Sequence, residues 1–423
     1  MNSKKTLICC IIIFFFFFGT QSINARPLII DEIFISINES QSYEIKKWTA
    51  LYYLDVDWSS NNFDALEYWF IDEIASNENM NVIVIQDKEY DPAFMYYINE
   101  NHNMILLEEL GEINMGDYRT LKDYIAYGKE NYPAERYQLN IYNHGGGWLG
   151  ACIDITDRDQ LSMNEFQQAL SETGGVDLLV WVGCCLMGSL ETVYELCNLV
   201  DVSVGSEDLG MMDWWNNIFD DICNITRDNP NISTKEYGDM IVDLIDNNPN
   251  HWGQYLTMSA IDVNKISELV ESFNDLSKNL IDQWFNGGMR QSIISHRETY
   301  QLAQLQNYAE SFEVFDFKEF IENLDQNELT EKVLDAFDDA VINHCHGFAR
   351  SRTNGLSIFF PDGISPYSLS RIYNNNALYG NQAVGENLDF TDDTYWNEFL
   401  ILFVISNILF ETYIKMIGCE KYE

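Results

Sequence analysis

The chain has 423 residues, and its 24 Lys and Arg against 67 Asp and Glu leave a formal net charge of −43. A negative field of this size excludes proteins that track a phosphate backbone, because nucleic-acid binding depends on clustered cations. Hydrophobic residues make up 46% and aromatic residues 14%, so the acidity belongs to the surface of a folded protein with a large core, not to a disordered tail.

The N-terminus reads as a targeting segment. Lys4 and Lys5 precede an unbroken apolar run over 7–18, and small residues follow at Gly19, Ser22 and Ala25. This is the order of a secretory signal peptide, assigned to 1–25, and the run is shorter than the ~20 residues a membrane span needs. Residues 26–44 are an N-terminal extension, and the mature chain is expected to be secreted or lumenal. Loss of Cys9 and Cys10 with the leader turns nine cysteines into seven. An odd number leaves at least one thiol without an intramolecular partner.

The periodicity then predicts strands at 48–55 and 81–87 with a helix over 64–75 between them, a hairpin of 94–98 and 104–108, and a helix over 118–131 that ends before Pro133. An apolar strand at 137–142 stops at Asn143-His144-Gly145. Residues 161–170 form a helix with Ser162 and Glu165 placed as a capping box. The continuous apolar run 177–183 is a strand covered on both faces; it enters Cys184-Cys185, a helix reaching about 199, and a strand at 200–206. Alternation of this kind gives an α/β core over 45–232, a mostly parallel sheet with helices on both faces. Residues 233–423 are largely helical, at 233–246, 263–285, 290–304 and 328–343, and return one strand, 355–360, to the core. The apolar stretch 399–410 is too short for a membrane span and reads as a helix docked on this lobe.

Two polar positions share one placement, the carboxyl end of a core strand. Sites in open α/β sheets gather at such ends, so His144 and the Cys184-Cys185 pair are expected to meet although 41 residues separate 144 from 185. A thiol needs a base to become a nucleophile near neutral pH, and imidazole suits that task. The N–H of Gly145, together with that of the nucleophilic cysteine, would form an oxyanion hole. Spacing alone leaves open a capped loop histidine beside a buried cysteine.

The motifs resemble the clostripain family of cysteine peptidases, which have a caspase-like fold. The matching stretches are Lys47-Trp-Thr-Ala-Leu-Tyr-Tyr-Leu-Asp-Val-Asp57, Glu109-Leu-Gly-Glu-Ile-Asn-Met-Gly-Asp117, Tyr142-Asn-His-Gly-Gly-Gly-Trp148, Cys185-Leu-Met-Gly188, Gly205-Ser-Glu207 and Asn354-Gly-Leu-Ser-Ile-Phe-Phe-Pro361. The resemblance spans about 45–400 and implies a secreted endopeptidase acting on peptides or proteins through a His144–Cys185 dyad, with Gly145 and Cys185 holding the oxyanion. Cys184 stands where the family usually has a small residue. Members that cleave after Arg or Lys tend to carry Asp two residues before the nucleophile, where this chain has Gly183. Glu207, Asp208 or Asp213 would then have to supply the pocket charge, or the pocket would be larger and more neutral. Self-cleavage between histidine and cysteine, common in the family, would fall at Arg158. No cofactor is required for the chemistry, but some members need calcium, for which Asp154, Asp157 and Asp159 offer oxygen ligands without EF-hand spacing. The rival reading is a catalytically silent caspase-like binding protein, motivated by Gly183 and Cys184. His344-Cys345-His346 invites zinc, but three consecutive residues on a helix cannot all face one ion, and no CxxC supports them.

Overall fold

The computed structural model describes residues 45–57, 73–89, 91–215, 217–248, 253–284, 313–360 and 388–416. The predicted signal peptide, the extension 26–44, nearly all of the helix over 64–75 and the helix over 290–304 lie outside them. Ile45–Glu423 form one compact unit.

Its centre is a nine-stranded sheet among the described residues. Strand β1 (Lys46–Asp55) pairs in parallel with β2 (Met80–Lys88) on one side and with β5 (Ala134–Tyr142) on the other. β5 continues in parallel to β8 (Val176–Val182), and β8 to β9 (Val200–Gly205). Both edges are antiparallel: the hairpin β3 (Asp91–Ile98) and β4 (Met104–Gly111) beyond β2, and β10 (Thr257–Asp262) and β12 (Val341–His346) beyond β9.

The central strands bury both faces, as their continuous apolar runs require. Along β1, Leu51 and Tyr53 face a core shared with Leu121 and Ile125 of the helix Tyr118–Asn131 and Phe166 and Leu170 of the helix Met163–Thr173. Trp48, Ala50, Tyr52 and Leu54 face the opposite core, closed by the helices Phe219–Asp228 and Thr234–Asp246. Ser162 is the predicted cap: it accepts from Glu165 N–H while Glu165 returns to the Ser162 N–H, so the helix begins at Met163 rather than at 161.

The C-terminal half departs from the sequence reading in three places. The helix predicted to 343 ends at Ala340, because β-branched Val341 and Ile342 start a strand that finds an antiparallel partner in β10. β10, whose Thr, Ser and Ala dilute the apolar signal, was not expected. The strand expected at 355–360 is shorter, β13 (Ser357–Phe359), and pairs with β11 (Val314–Asp316) in a separate two-stranded sheet; it meets the core loops through a bridge between Ser189 and Ser357 and the Phe359 N–H donating to Glu191 at 2.9 Å, without joining the main sheet. The chain thus returns to the main sheet through β10 and β12. Strands β6 (Ala151–Asp154) and β7 (Asp159–Leu161) make a further hairpin.

The helix Val263–Trp284 and the helix Trp396–Met416 complete the lobe. Trp396 is fully buried, donates from Nε1 to the Phe359 carbonyl at 3.2 Å, and packs on Phe273, Phe320 and Phe360. Among the described residues no helix is long and apolar enough to cross a membrane. If the lobe belongs to the same cooperative unit as the sheet, Trp396→Ala will cost about 3–5 kcal/mol and move one shared denaturation midpoint, followed by far-UV circular dichroism and tryptophan fluorescence. Separate transitions would show that the lobe unfolds alone.

Candidate active site

The parallel pairing of β5 with β8 sets Tyr142 opposite Val182. His144 and Cys184 each lie two residues further on, so the two segments emerge side by side at the carboxyl edge of the sheet. They approach until only glycine fits: a Cβ on Gly145 would lie 2.6 Å from the Cys185 carbonyl oxygen and 2.9 Å from its nitrogen. On the far side, a Cβ on Gly210 would lie 2.5 Å from the Cys184 carbonyl. The cysteine turn is therefore held between two glycines, and Leu186, next to Cys185, adopts φ 64°, a costly conformation for a non-glycine residue. The Leu186 N–H donating to the Asp208 carbonyl at 2.8 Å helps hold it there.

Asn143, whose role the sequence reading missed, organises the other half. Its Oδ1 accepts from the His144 N–H at 2.5 Å and from the Ile153 N–H at 2.9 Å, and its Nδ2 donates to the Asp55 carbonyl at 3.0 Å. A buried Asn at a strand end is the available signal, since its amide can satisfy several loop groups at once. The two bonds that join the histidine turn to the β6 region run from Gly146 N–H to Gly150 and from Cys152 N–H to the His144 carbonyl, flanking Gly145. Its own N–H, like that of Cys185, has no hydrogen-bond acceptor among the described residues, which suits an oxyanion hole.

The two cysteines differ sharply. Cys184 is fully buried and donates its thiol to the Asn143 carbonyl at 3.2 Å; burial pushes its pKa far up, so it is inert. Cys185 is partly exposed and its Sγ accepts from the Gly210 N–H at 3.3 Å. Burial pushes the Cys185 thiol up to about 11, with the Gly210 N–H pulling down and Asp208 pushing up. His144 has an exposed side chain, yet the protein around it lowers its pKa by desolvation. Burial thus disfavours the charged form of both groups. The described cysteines are all free thiols, so Cys184 and Cys185 are not joined.

Of the candidate pocket carboxylates, two are engaged elsewhere. Glu207 is buried, accepts from the Gly355 N–H at 2.9 Å and shares a hydrogen bond with the Asp316 carboxyl. Asp208 is buried in an ion pair with Arg350, whose guanidinium lies over the Tyr255 ring at 5.1 Å. Asp213 alone is half exposed, on the turn Met212–Trp215. Gly183 has φ +74°, and a side chain there would point at Met212 Sδ (3.7 Å) and the Tyr142 ring (3.8 Å).

Arg158 sits exposed, at φ 57°, in the turn between β6 and β7. The acidic residues around it do not converge on one ion. Asp154 is buried and accepts from Met115 and Asp157 N–H groups, while Asp159 accepts from Asn114 and Gln160. The carboxylates that do converge among the described residues are Asp57, Asp87 and Glu112, with one oxygen from each within 4.8 Å of the others. His344 and His346 stand exposed on one face of β12, not on a helix, with Cys345 buried on the other face, so the three residues do not converge on one ion.

A profile of the clostripain family matches residues 52–406. The chain belongs to the clostripain family. Clostripain of Hathewaya histolytica is 26% identical over 418 residues, covering 78% of each chain. Among solved structures, an inactive zymogen C11 protease of Parabacteroides distasonis superposes with a TM-score of 0.60 at 17% identity, covering 84% of this chain and 98% of that one. A secreted C11 cysteine protease of Bacteroides thetaiotaomicron, bound to an irreversible peptide inhibitor, gives 0.57 at 15%, covering 78% and 96%. This family member is a caspase-like cysteine peptidase, a hydrolase whose substrates are peptides or proteins.

The upward push on the Cys185 thiol has a kinetic consequence. Alkylation of Cys185 by iodoacetamide, read by mass spectrometry in the substrate-free protein, should keep accelerating from pH 7 to 10 as the thiolate fraction grows. A rate already flat from pH 6 upward would mean a preformed thiolate–imidazolium pair. Cys184 should stay unlabelled throughout.

Proposed function

We propose that the protein is a secreted endopeptidase in which Cys185 attacks the scissile carbonyl and His144 takes its proton and passes it to the leaving amine. The observation that carries this reading is the backbone contact between Gly145 and the Cys185 turn, which seats base and nucleophile beside two uncommitted N–H groups. As the tetrahedral oxygen becomes negative, the Gly145 and Cys185 N–H groups stabilise it. Proton transfer from a neutral thiol to a neutral imidazole is drawn forward by this developing charge, so the substrate completes the activation. The leader 1–25 would carry the chain into the secretory pathway. The silent-binder reading gains nothing from Cys184, which stays buried and bonded away from the site.

For the primary pocket we infer a neutral preference. The position that would carry an acidic floor is Gly183, facing Met212 and Tyr142, and Glu207 and Asp208 already have partners. An Arg or Lys preference would rest on Asp213 alone. A neutral pocket also gives Arg158 no charge partner, so the chain is expected to act without being cut there.

A peptide library with reductant tests these statements. Cleavage should vanish in Cys185→Ala and in His144→Ala, persist in Cys184→Ala and Arg158→Gln, and favour uncharged residues at the cut. Loss of all cleavage in the parent enzyme would return the binding-protein reading. Strong Arg or Lys preference that disappears in Asp213→Asn would move the pocket charge to that residue. Gly183→Asp should raise kcat/KM for Arg and Lys substrates about 10- to 100-fold relative to neutral ones, the range of a charge-assisted pair; no change would mean that position 183 does not face the side chain.

A further inference from the structure

Residues 206–210 leave β9 as a loop that lies against the cysteine turn. Three hydrogen bonds join the two: the Leu186 N–H donates to the Asp208 carbonyl at 2.8 Å, the Gly188 N–H to the Ser206 carbonyl at 2.8 Å, and the Gly210 N–H to Cys185 Sγ at 3.3 Å. The loop is fastened in turn by residues much later in the chain. Ser206 Oγ and Thr257 Oγ1 share a hydrogen bond at 2.6 Å, Glu207 accepts from the Gly355 N–H at 2.9 Å, and Asp208 pairs through its carboxylate with Arg350 Nε.

The last of these fastenings carries charge at both ends. The Asp208 side chain is 1% exposed and that of Arg350 12%, and a buried ion pair that loses one member leaves the other as an uncompensated charge. Arg350 is itself well fixed. It closes the turn Phe348–Arg350, just before which the Gly347 N–H donates to the Leu256 carbonyl at 2.9 Å and the Gly253 carbonyl fills the place a side chain on Gly347 would need. Its guanidinium lies over the Tyr255 ring, 5.1 Å from the centroid.

Asp208 also bears on the sulfur electrically. Burial comes first in raising the Cys185 thiol, the Gly210 N–H opposes it, and the Asp208 charge adds to it. The other charged groups around the turn differ in placement: Glu207 is engaged with Asp316 and Gly355, Asp213 is half exposed, and His144 stands on the facing turn. Arg350 therefore reaches the nucleophile by two routes, the geometry of the loop and the charge of Asp208.

We infer that Arg350 is a positioning residue for the peptidase reaction, which acts through Asp208 to hold the loop against the Cys185 turn and to offset a carboxylate that opposes the thiolate. The inference rests on Cys185 being the nucleophile. Lys in its place would keep the charge but lose the planar fork, whereas Gln would lose both.

The test follows alkylation of Cys185 by iodoacetamide in the whole chain from pH 7 to 10, read by mass spectrometry, beside steady-state peptide cleavage. Arg350→Gln should alkylate about 10-fold more slowly than the parent at each pH below the thiol's midpoint, the effect of one unpaired charge on a neighbouring ionisation. Arg350→Lys should lose about threefold in the same direction. Each loss should disappear when Asp208→Asn is added, the signature of a coupled pair. In cleavage, kcat should fall in Arg350→Gln while KM stays within about twofold. Folding is checked by far-UV circular dichroism, and Arg350→Lys carries the comparison if Arg350→Gln does not fold. The inference fails if the folded variant keeps the parent's pH profile of alkylation, or if its loss persists undiminished on the Asp208→Asn background. Alkylation needs no turnover, so absence of cleavage in the parent would overturn the endopeptidase reading and leave this comparison readable.

Discussion

The constraint on which the candidate site depends is the packing of two backbones at the end of the sheet, with Gly145 on one side of the cysteine turn and Gly210 on the other. Neither position admits a methyl group without moving main-chain atoms, and main chain at the end of a parallel strand has nowhere to move. The register between β5 and β8 therefore does more than build the sheet: it decides that residues 41 apart in the chain share a few ångströms. A slip of one residue would turn the apolar faces of both strands over, so the two buried cores enforce the alignment on which the site depends. The hydrogen bonds that stabilise the sheet are thus the ones that bring the two turns together.

Burial works against the nucleophile, and the local electrostatics follow from that. A thiolate placed here meets desolvation and the nearby Asp208, with a single N–H in its favour. Arg350, paired with Asp208, limits how much of that negative charge the sulfur feels. The balance of these groups favours the protonated thiol at Cys185. A protonated thiol is also less open to oxidation than a thiolate, which is the form that oxidants attack.

The central fold was legible because its signals are local. Continuous apolar runs marked β1, β2, β8 and β9, Ser162 and Glu165 marked a helix start, and Pro133 marked an end. The approach of the His144 and Cys184-Cys185 turns was legible as well, from strand ends and from family motifs. What escaped reading depends on partners far away in sequence. β10 and β12 are strands because each completes the other at a sheet edge, and the 328–340 helix stops where that pairing begins. Glu207, Asp208 and Asp213 look equivalent in sequence, yet Gly355 and Arg350, more than a hundred residues on, engage the first two. The acidic loop 154–159 attracted a metal reading by its density of Asp, whereas the converging oxygens belong to residues 30 and 25 apart.

Asn143 connects the two acidic and catalytic regions through one amide. Its Nδ2 grips the Asp55 carbonyl at the end of β1, and its Oδ1 receives the His144 and Ile153 N–H groups. Asp57, two residues past Asp55, holds the Ile155 and Thr156 backbone on the adjoining turn. The end of β1 is thus fixed from both directions, by the histidine turn on one side and by the carboxylates on the other.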